Sequence, residues 1–519
     1  MDYIRKYYPY ALILSCIGLG CALFFQVTMD DAFIMFRYGY NFVHFDVWNF
    51  FPSKTRLVEA YTTFLYTAIS IIPAYLHIYA YTFYKILGFL LFLLLIFQLY
   101  HSTKNKRLAL VAIFIFVANW QTYVHTFSGL ETMLWCCLFF RLIILLQSEQ
   151  IQQQQNQAWI IALLLPLTRP EGIFISIFAF LYLVFKRKIK VNYVILTLVI
   201  LLGIAYFIWR YNYFGELFPL PFYQKSVKSS AGIISIIINS FSALHYIVCL
   251  LVFTVIFRKN AFFVYLSTLV LCLFYFVYGT SLLSMNFADR FSYQLFFPVL
   301  LFGIISISNV AETDKIKIKY CAYFLVCFVF AKGAYSTHSR NFSTIHDNMF
   351  SGYYYNKTHL NIAKQLRKLN QPNIKIFCNE AGIIPYYSNV TYYDPEGLAD
   401  NYLSKHILTK EFIEKIQPDA FFYLIGVPYQ EINAWTDKLN KHHPLYYYKY
   451  LLHSDKYEKI GYVECIDYQI YIGIAIRKDS KYYHELVQAG KAAIQSANEQ
   501  EFYVKKFIKG NYYREFPTL

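Results

Sequence analysis

The stretch TMDDAFIMFRYGYNFV, residues 28–43, decides how this chain is read. It follows a hydrophobic run, Tyr10 to Val27, and sets two adjacent aspartates, Asp30 and Asp31, where the chain leaves that run. Side-by-side carboxylates repel each other and are expensive to dehydrate. The pair therefore marks an exit from a membrane. The preceding run lacks a small-residue cleavage site and is followed by many more apolar runs, so it reads as a span rather than a removed signal peptide.

The surrounding composition agrees. Phe and Tyr number 50 and 51 in 519 residues, and mean hydropathy is +0.36. The class is a polytopic α-helical membrane protein. The first 335 residues carry 25 Lys and Arg against 12 Asp and Glu, while the remainder carries 22 against 19. Topology accounts for that basic excess, because Lys and Arg collect in cytoplasmic loops. No basic groove with interleaved aromatics argues for nucleic acid. Eight of the ten cysteines lie in apolar runs; Cys378 and Cys465 stand in the polar tail without zinc-type spacing. The ends of their strands would allow a disulfide if the two strands are neighbours.

Five basic clusters, at Arg5-Lys6, Lys104 to Arg107, Lys186 to Lys190, Arg258-Lys259 and Lys315 to Lys319, order the spans if all are cytoplasmic. Spans are expected at 9–28, 82–100, 108–125, 130–147, 158–169, 171–186, 191–209, 234–257, 261–279, 292–310 and 317–335. The Pro73-interrupted segment 59–77 then lies on or dips into the outer face. The expectation is about eleven transmembrane helices plus an interfacial helix, with a cytoplasmic N-terminus. Gln147 to Gln157 reads as a solvated loop. Residues 1–335 form the membrane domain and 336–519 an external α/β domain. Its strands are IKIFCN, VTYYD, DAFFYLI, KIGYVEC and YQIYIGIAIR, and its helices lie near 357–370, 402–416 and 483–499.

On this threading Asp30, Asp31, Asp46, Glu59, Glu131, Glu171, Glu216 and Asp289 all fall on the external side, each beside a short polar motif. A transporter would keep ionisable groups near the midplane, often in two related halves. No such repeat is visible. The one-sided convergence of acid, Arg and aromatic residues points to an external active site.

The motifs DDAFIMFRYGYNFV, VEAYTTFLY, SGLETMLW, LTRPEG, YFGELFPLPFYQKS, DRF and NEAGIIPYYSNVTYYDPEGLAD, in this order, resemble the GT-C membrane glycosyltransferases. The branch most similar contains the terminal arabinofuranosyltransferases and LphB-like proteins. Ala60 replaces the family's usual Gly, and Leu220-Pro221 stands where an Asn-Thr pair is common. The resemblance implies a GT-C fold and transfer of a sugar from a polyprenyl-phosphate-linked donor to a glycan or lipid acceptor. The chain would sit among the lipids of a bacterial inner membrane, with its C-terminal domain periplasmic. It implies no cofactor and no metal.

Such a transfer needs a base for the acceptor hydroxyl and cations for the departing phosphate. The family's base maps onto Asp30, and Asp31 would raise its partner's pKa by like-charge repulsion. The alternative is that the pair caps the helix starting near Ala32. Arg37, Arg169, Lys225 and Arg290 are candidate phosphate contacts, since guanidinium binds phosphate bidentately. Glu171 would orient Arg169, Glu59 would assist the base or bind acceptor hydroxyls, and Tyr61 would stack on sugar. Each has a structural alternative: an interfacial anchor for Arg37, an ion pair for Arg169 and Glu171, packing for Tyr61. At the level of function, a lipid-linked-sugar flippase or transporter is the alternative.

Overall fold

The computed structural model describes residues 2–227, 232–279, 286–307, 345–425, 454–466 and 470–498. Six helices among them are long and apolar enough to cross a membrane: Tyr7–Phe24, Ala80–Ser102, Tyr193–Phe214, Ile233–Ile256, Ala261–Gly279 and Phe287–Ser306. The 23 residues of Ala80–Ser102 reach about 35 Å, enough for a core of about 30 Å. Lys106–Ala118 and Trp120–Phe127, bent by 68°, make a seventh if counted as one span. The bend has a local cause. Asn119 is non-helical, and its side chain accepts from the Gln121 amide and so restarts the helix.

Three further expected crossings, 130–147, 158–169 and 171–186, are met by shorter or more polar helices. Thr132–Gln147 and Gly172–Lys186 fall below spanning length. Ile151–Thr168 opens with the glutamine tract, which corrects the expected solvated loop. Glutamine is a good helix former. Gln155 is buried, donates to the Lys190 carbonyl at 2.9 Å and accepts from the Asn192 amide at 2.7 Å, so the tract braces the 187–192 loop. Of the eleven expected spans, six or seven are matched by helices of spanning length among the described residues, and both the expected span 317–335 and the boundary at 335/336 lie outside them. Residues 59–77 contain two helices, Phe64–Ile69 and Ile71–Tyr75, too short to span. Ser70 Oγ donates to the Thr67 and Met35 carbonyls, docking the break onto Asp31–Phe45.

Burial separates the spans. Tyr193–Phe214 is only 6% buried, whereas Phe287–Ser306 is 94% buried. The first presents its apolar surface to lipid and the second is the centre around which the others pack.

Beyond residue 345 a helix, Ile345–Lys368, leads into a five-stranded sheet. Its strands are β1 Lys375–Cys378, β2 Thr391–Tyr393, β3 Ala420–Ile425, β4 Tyr457–Ile466 and β5 Ile470–Arg477, in the order β2-β1-β3-β5-β4. β1 runs parallel to β2 and β3; β5 runs antiparallel to β3 and β4. Alternation fixes the faces. Ile376, Cys378, Phe422, Ile472, Ile474 and Ile476 share a core with Leu366, Leu486 and Ala493 of the flanking helices. Phe377, Phe421, Tyr423 and Ala475 face the other way, onto Leu403, Leu408 and Ile413. The first core also takes in Trp48, Phe50 and Tyr61, so the membrane part and the sheet share apolar packing. The expected helix at 402–416 is confined to Lys410–Ile416, because Thr409 caps its start by accepting from the Phe412 amide.

β3 and β5 lie between the strands of Cys378 and Cys465. At about 4.8 Å per strand that is beyond the reach of a disulfide, and Cys378 is a buried free thiol.

Candidate active site

The two aspartates have different surroundings. Asp30 is 3% exposed. Its Oδ2 accepts from the Gly382 amide and its Oδ1 from the Ile383 amide, each at 2.8 Å. The Asp30 side chain makes no capping bond to the helix Asp31–Phe45; it instead holds the start of Ile383–Tyr387, in the C-terminal part. Burial, and then the Glu380 carboxylate, push the Asp30 carboxyl up to about 7, while His359 pulls it down. Asp31 is open, with 28% of its side chain exposed, and its Oδ2 stands 4.0 Å from Arg290 Nη1.

The loop that presents the pair is held from below. The Met29 amide donates to the Ser128 carbonyl at 2.9 Å. Gly129 takes φ +80° there, and a Cβ on it would come within 2.9 Å of Ala32. That is the use of the glycine in SGLET. Lys85 Nζ donates to the carbonyls of Phe25 and Val27 at 2.5 and 2.7 Å, closing the end of the first helix.

Arg290 is delivered by an unusual turn. Ala288 and Asp289, just before it, both have positive φ, +46° and +54°. Left-handed non-glycine residues each cost on the order of 1–3 kcal/mol and need outside support. Here Asp289 Oδ2 accepts from Gln121 Nε2 at 2.9 Å, and the Ala288 carbonyl lies 3.0 Å from His125 Nε2. The Arg290 guanidinium rests on the Phe291 and Phe287 rings, 4.6 and 5.1 Å from their centroids. It is buried, and its Nε has no hydrogen-bond partner among the described residues. A buried guanidinium with an unspent donor is suited to an anion.

Arg169 is occupied instead. It bonds Glu131, Glu171 at 2.5 Å and the Tyr278 hydroxyl at 3.1 Å. Gln294 Nε2 donates to Glu171 and Tyr278 at 3.1 and 3.0 Å. Glu131 is therefore part of one buried network with Arg169 and Glu171.

The other candidates sit apart. Arg37 Nε donates to the Phe50 carbonyl at 2.6 Å and Nη1 to the Pro385 carbonyl, tying the Asp31–Phe45 helix to both neighbouring segments. Glu59 is buried and paired with Arg210, 2.9 Å from Nε. Burial pushes its carboxyl up to about 7 against the pull of that pairing. Tyr61 is buried, accepts from Trp48 Nε1 at 2.8 Å and packs on Tyr38. The Lys225 side chain lies outside the described residues. Arg210, Tyr278 and Gln294 were not singled out from the sequence, nor were His359 and Glu380. For Arg210 and Gln294 the one hint was a polar residue inside an apolar helical run.

A cavity of about 310 Å³ opens between these segments, lined by Tyr40, His44, His77, Tyr79, Tyr386 and Tyr387 among others. Tyr386 and Tyr387 reach it from the helix Ile383–Tyr387 of the C-terminal part.

Fold and site together define a multi-pass membrane protein with a C-terminal α/β unit packed against its membrane part. Its fold is like that of ArnT from Cupriavidus metallidurans. The form of ArnT bound to undecaprenyl phosphate matches with TM-score 0.53 and 10% identity, covering 91% of this chain and 98% of that one. The apo form gives 0.49 at the same identity and coverage. A family model described as a domain of unknown function (DUF8728) matches residues 348–485. No curated relative matches the sequence. The likeness is one of fold and does not single out the terminal arabinofuranosyltransferase branch.

Proposed function

We propose that this chain is a glycosyltransferase that moves a sugar from a polyprenyl-phosphate donor to a glycan or lipid acceptor at the external face of the membrane. The observation that carries the reading is the facing pair of an open carboxylate, Asp31, and a buried guanidinium with an unspent donor, Arg290. The fold-level likeness to a protein bound to undecaprenyl phosphate supports a carrier of that kind.

Asp31 takes the proton of the acceptor hydroxyl as its oxygen bonds to the anomeric carbon. The bond from that carbon to the phosphate oxygen breaks, and polyprenyl phosphate leaves with the electron pair. Arg290 stabilises the leaving phosphate. Arg169, already engaged by Glu131 and Glu171, braces this wall. Asp30 is a positioning residue that holds Asp31's loop against the C-terminal part. The aromatic cavity beside Tyr386 suits the flat faces of an acceptor sugar.

The test is a kinetic comparison of folded, purified variants with polyprenyl-phosphate sugars as donors. Asp31→Asn lowers kcat on the order of 10²- to 10⁴-fold. Arg290→Gln lowers kcat/KM with a loss of donor dependence, and Arg290→Lys recovers part of it. Full turnover in Asp31→Asn removes the base from this account.

A further inference from the structure

Asp30, His359 and Glu380 come from three segments: the loop after the first helix, the helix Ile345–Lys368, and the turn after β1. All three are buried, and each offers one ligand atom, these atoms lying within 4.8 Å of one another. His359 Nε2 stands 3.5 Å from Glu380 Oε2. Metal bonds of about 2.1 Å at tetrahedral angles set ligand atoms about 3.4 Å apart, so the His359–Glu380 edge has the spacing of two ligands on one ion. Asp30 gives one lone pair on each oxygen to a backbone amide. A carboxylate oxygen has a second, so the acid is oriented and still able to ligate. Both amides belong to the turn that follows Glu380, which locks two of the three ligands to one another.

Charge favours an ion here. Two carboxylates this close and out of water repel. An imidazolium would supply one compensating charge; a divalent ion supplies two and leaves the imidazole neutral, as a ligand must be. One nitrogen and two oxygen donors suit Zn²⁺ or Mn²⁺ better than Ca²⁺ or Mg²⁺, which take oxygen alone. We propose that Asp30, His359 and Glu380 bind one divalent transition-metal ion, which pins the C-terminal part to the membrane part beside Asp31. The proposal does not rest on the transferase reading, since the ion has a structural task and no step is routed through it.

The experiment uses the full chain in detergent. Elemental analysis of the purified protein should find about one Zn²⁺ or Mn²⁺ per chain. After chelation the melting temperature should fall, and it should recover on adding back ZnCl₂ or MnCl₂. His359→Ala and Glu380→Gln should each weaken metal binding on the order of 100-fold and melt at a temperature that chelator no longer changes. The wild-type measurements decide the matter even if a variant does not fold. Metal-free protein that neither binds nor is stabilised by added ZnCl₂ or MnCl₂ overturns the site, as does full metal occupancy in either variant. Loss of metal with intact sugar transfer leaves the site standing. Full metal occupancy without transfer counts against the transferase reading alone.

Discussion

At the scale of single residues, adjacent and chemically identical Asp30 and Asp31 have different surroundings. What separates them is a turn 352 residues away in sequence, where the Gly382 and Ile383 amides take up Asp30. Gly382 fits because it has no Cβ: one placed there would overlap the backbone and carboxylate oxygens of Asp30. Gly382→Ala should therefore destabilise the seam, with an overpacking cost of about 1–3 kcal/mol, read as a lower melting temperature in detergent. Ala at the more open Gly18, which has nothing within 4 Å of its would-be Cβ, should leave the melting temperature close to wild type. Equal effects from both substitutions would mean that the contact between the two parts is not made. The sequence brought Asp30 and Asp31 forward as a pair but held no sign of this division, because the partners that make it are distant and, in the case of two backbone amides, carry no residue signature.

At the scale of elements, legibility followed periodicity. The five strands lay where alternation put them, since one inward residue in two is a strong local pattern. Helices of the membrane part were legible in position but not in length. Apolar content does not reveal a bend such as Asn119, and glutamines extend a helix without marking it as buried. Paired ions on separate elements were not legible at all. Glu59 and Arg210 are one such pair: they join the loop after residue 56 to the lipid-facing helix Tyr193–Phe214, and both are buried. Glu59→Gln or Arg210→Met alone should cost about 3–5 kcal/mol by leaving a charge unpaired. The double variant should cost clearly less than the sum, as a double-mutant cycle in thermal unfolding would detect. Strict additivity would mean that the two side chains do not meet.

At the scale of the whole molecule, the account requires that Asp31, Arg290 and the C-terminal sheet share the external side. Single cysteines introduced at exposed Tyr402 and, separately, at Lys188 in the basic cluster should label differently in intact cells. An impermeant thiol reagent should reach the first and not the second. The reverse pattern would invert the arrangement and remove an external active site. The free thiol at Cys378 should stay protected until the protein is unfolded, and then alkylate without reductant. The general architecture was open to sequence reading because the bilayer imposes its own length and charge rules. Contact between the membrane part and the sheet was not, because it is made by residues far apart in the chain.

The central claim is chemical, and one reconstitution tests it most directly. Purified wild-type protein in liposomes is given a panel of polyprenyl-phosphate-linked pentoses and hexoses with envelope glycan acceptors. Glycosidic product and released polyprenyl phosphate are measured together. The account predicts that at least one donor yields both in equal amounts, and that Asp31→Asn, folded and inserted, yields neither. Movement of the carrier lipid across the bilayer with no glycosidic product would contradict it and identify a flippase instead.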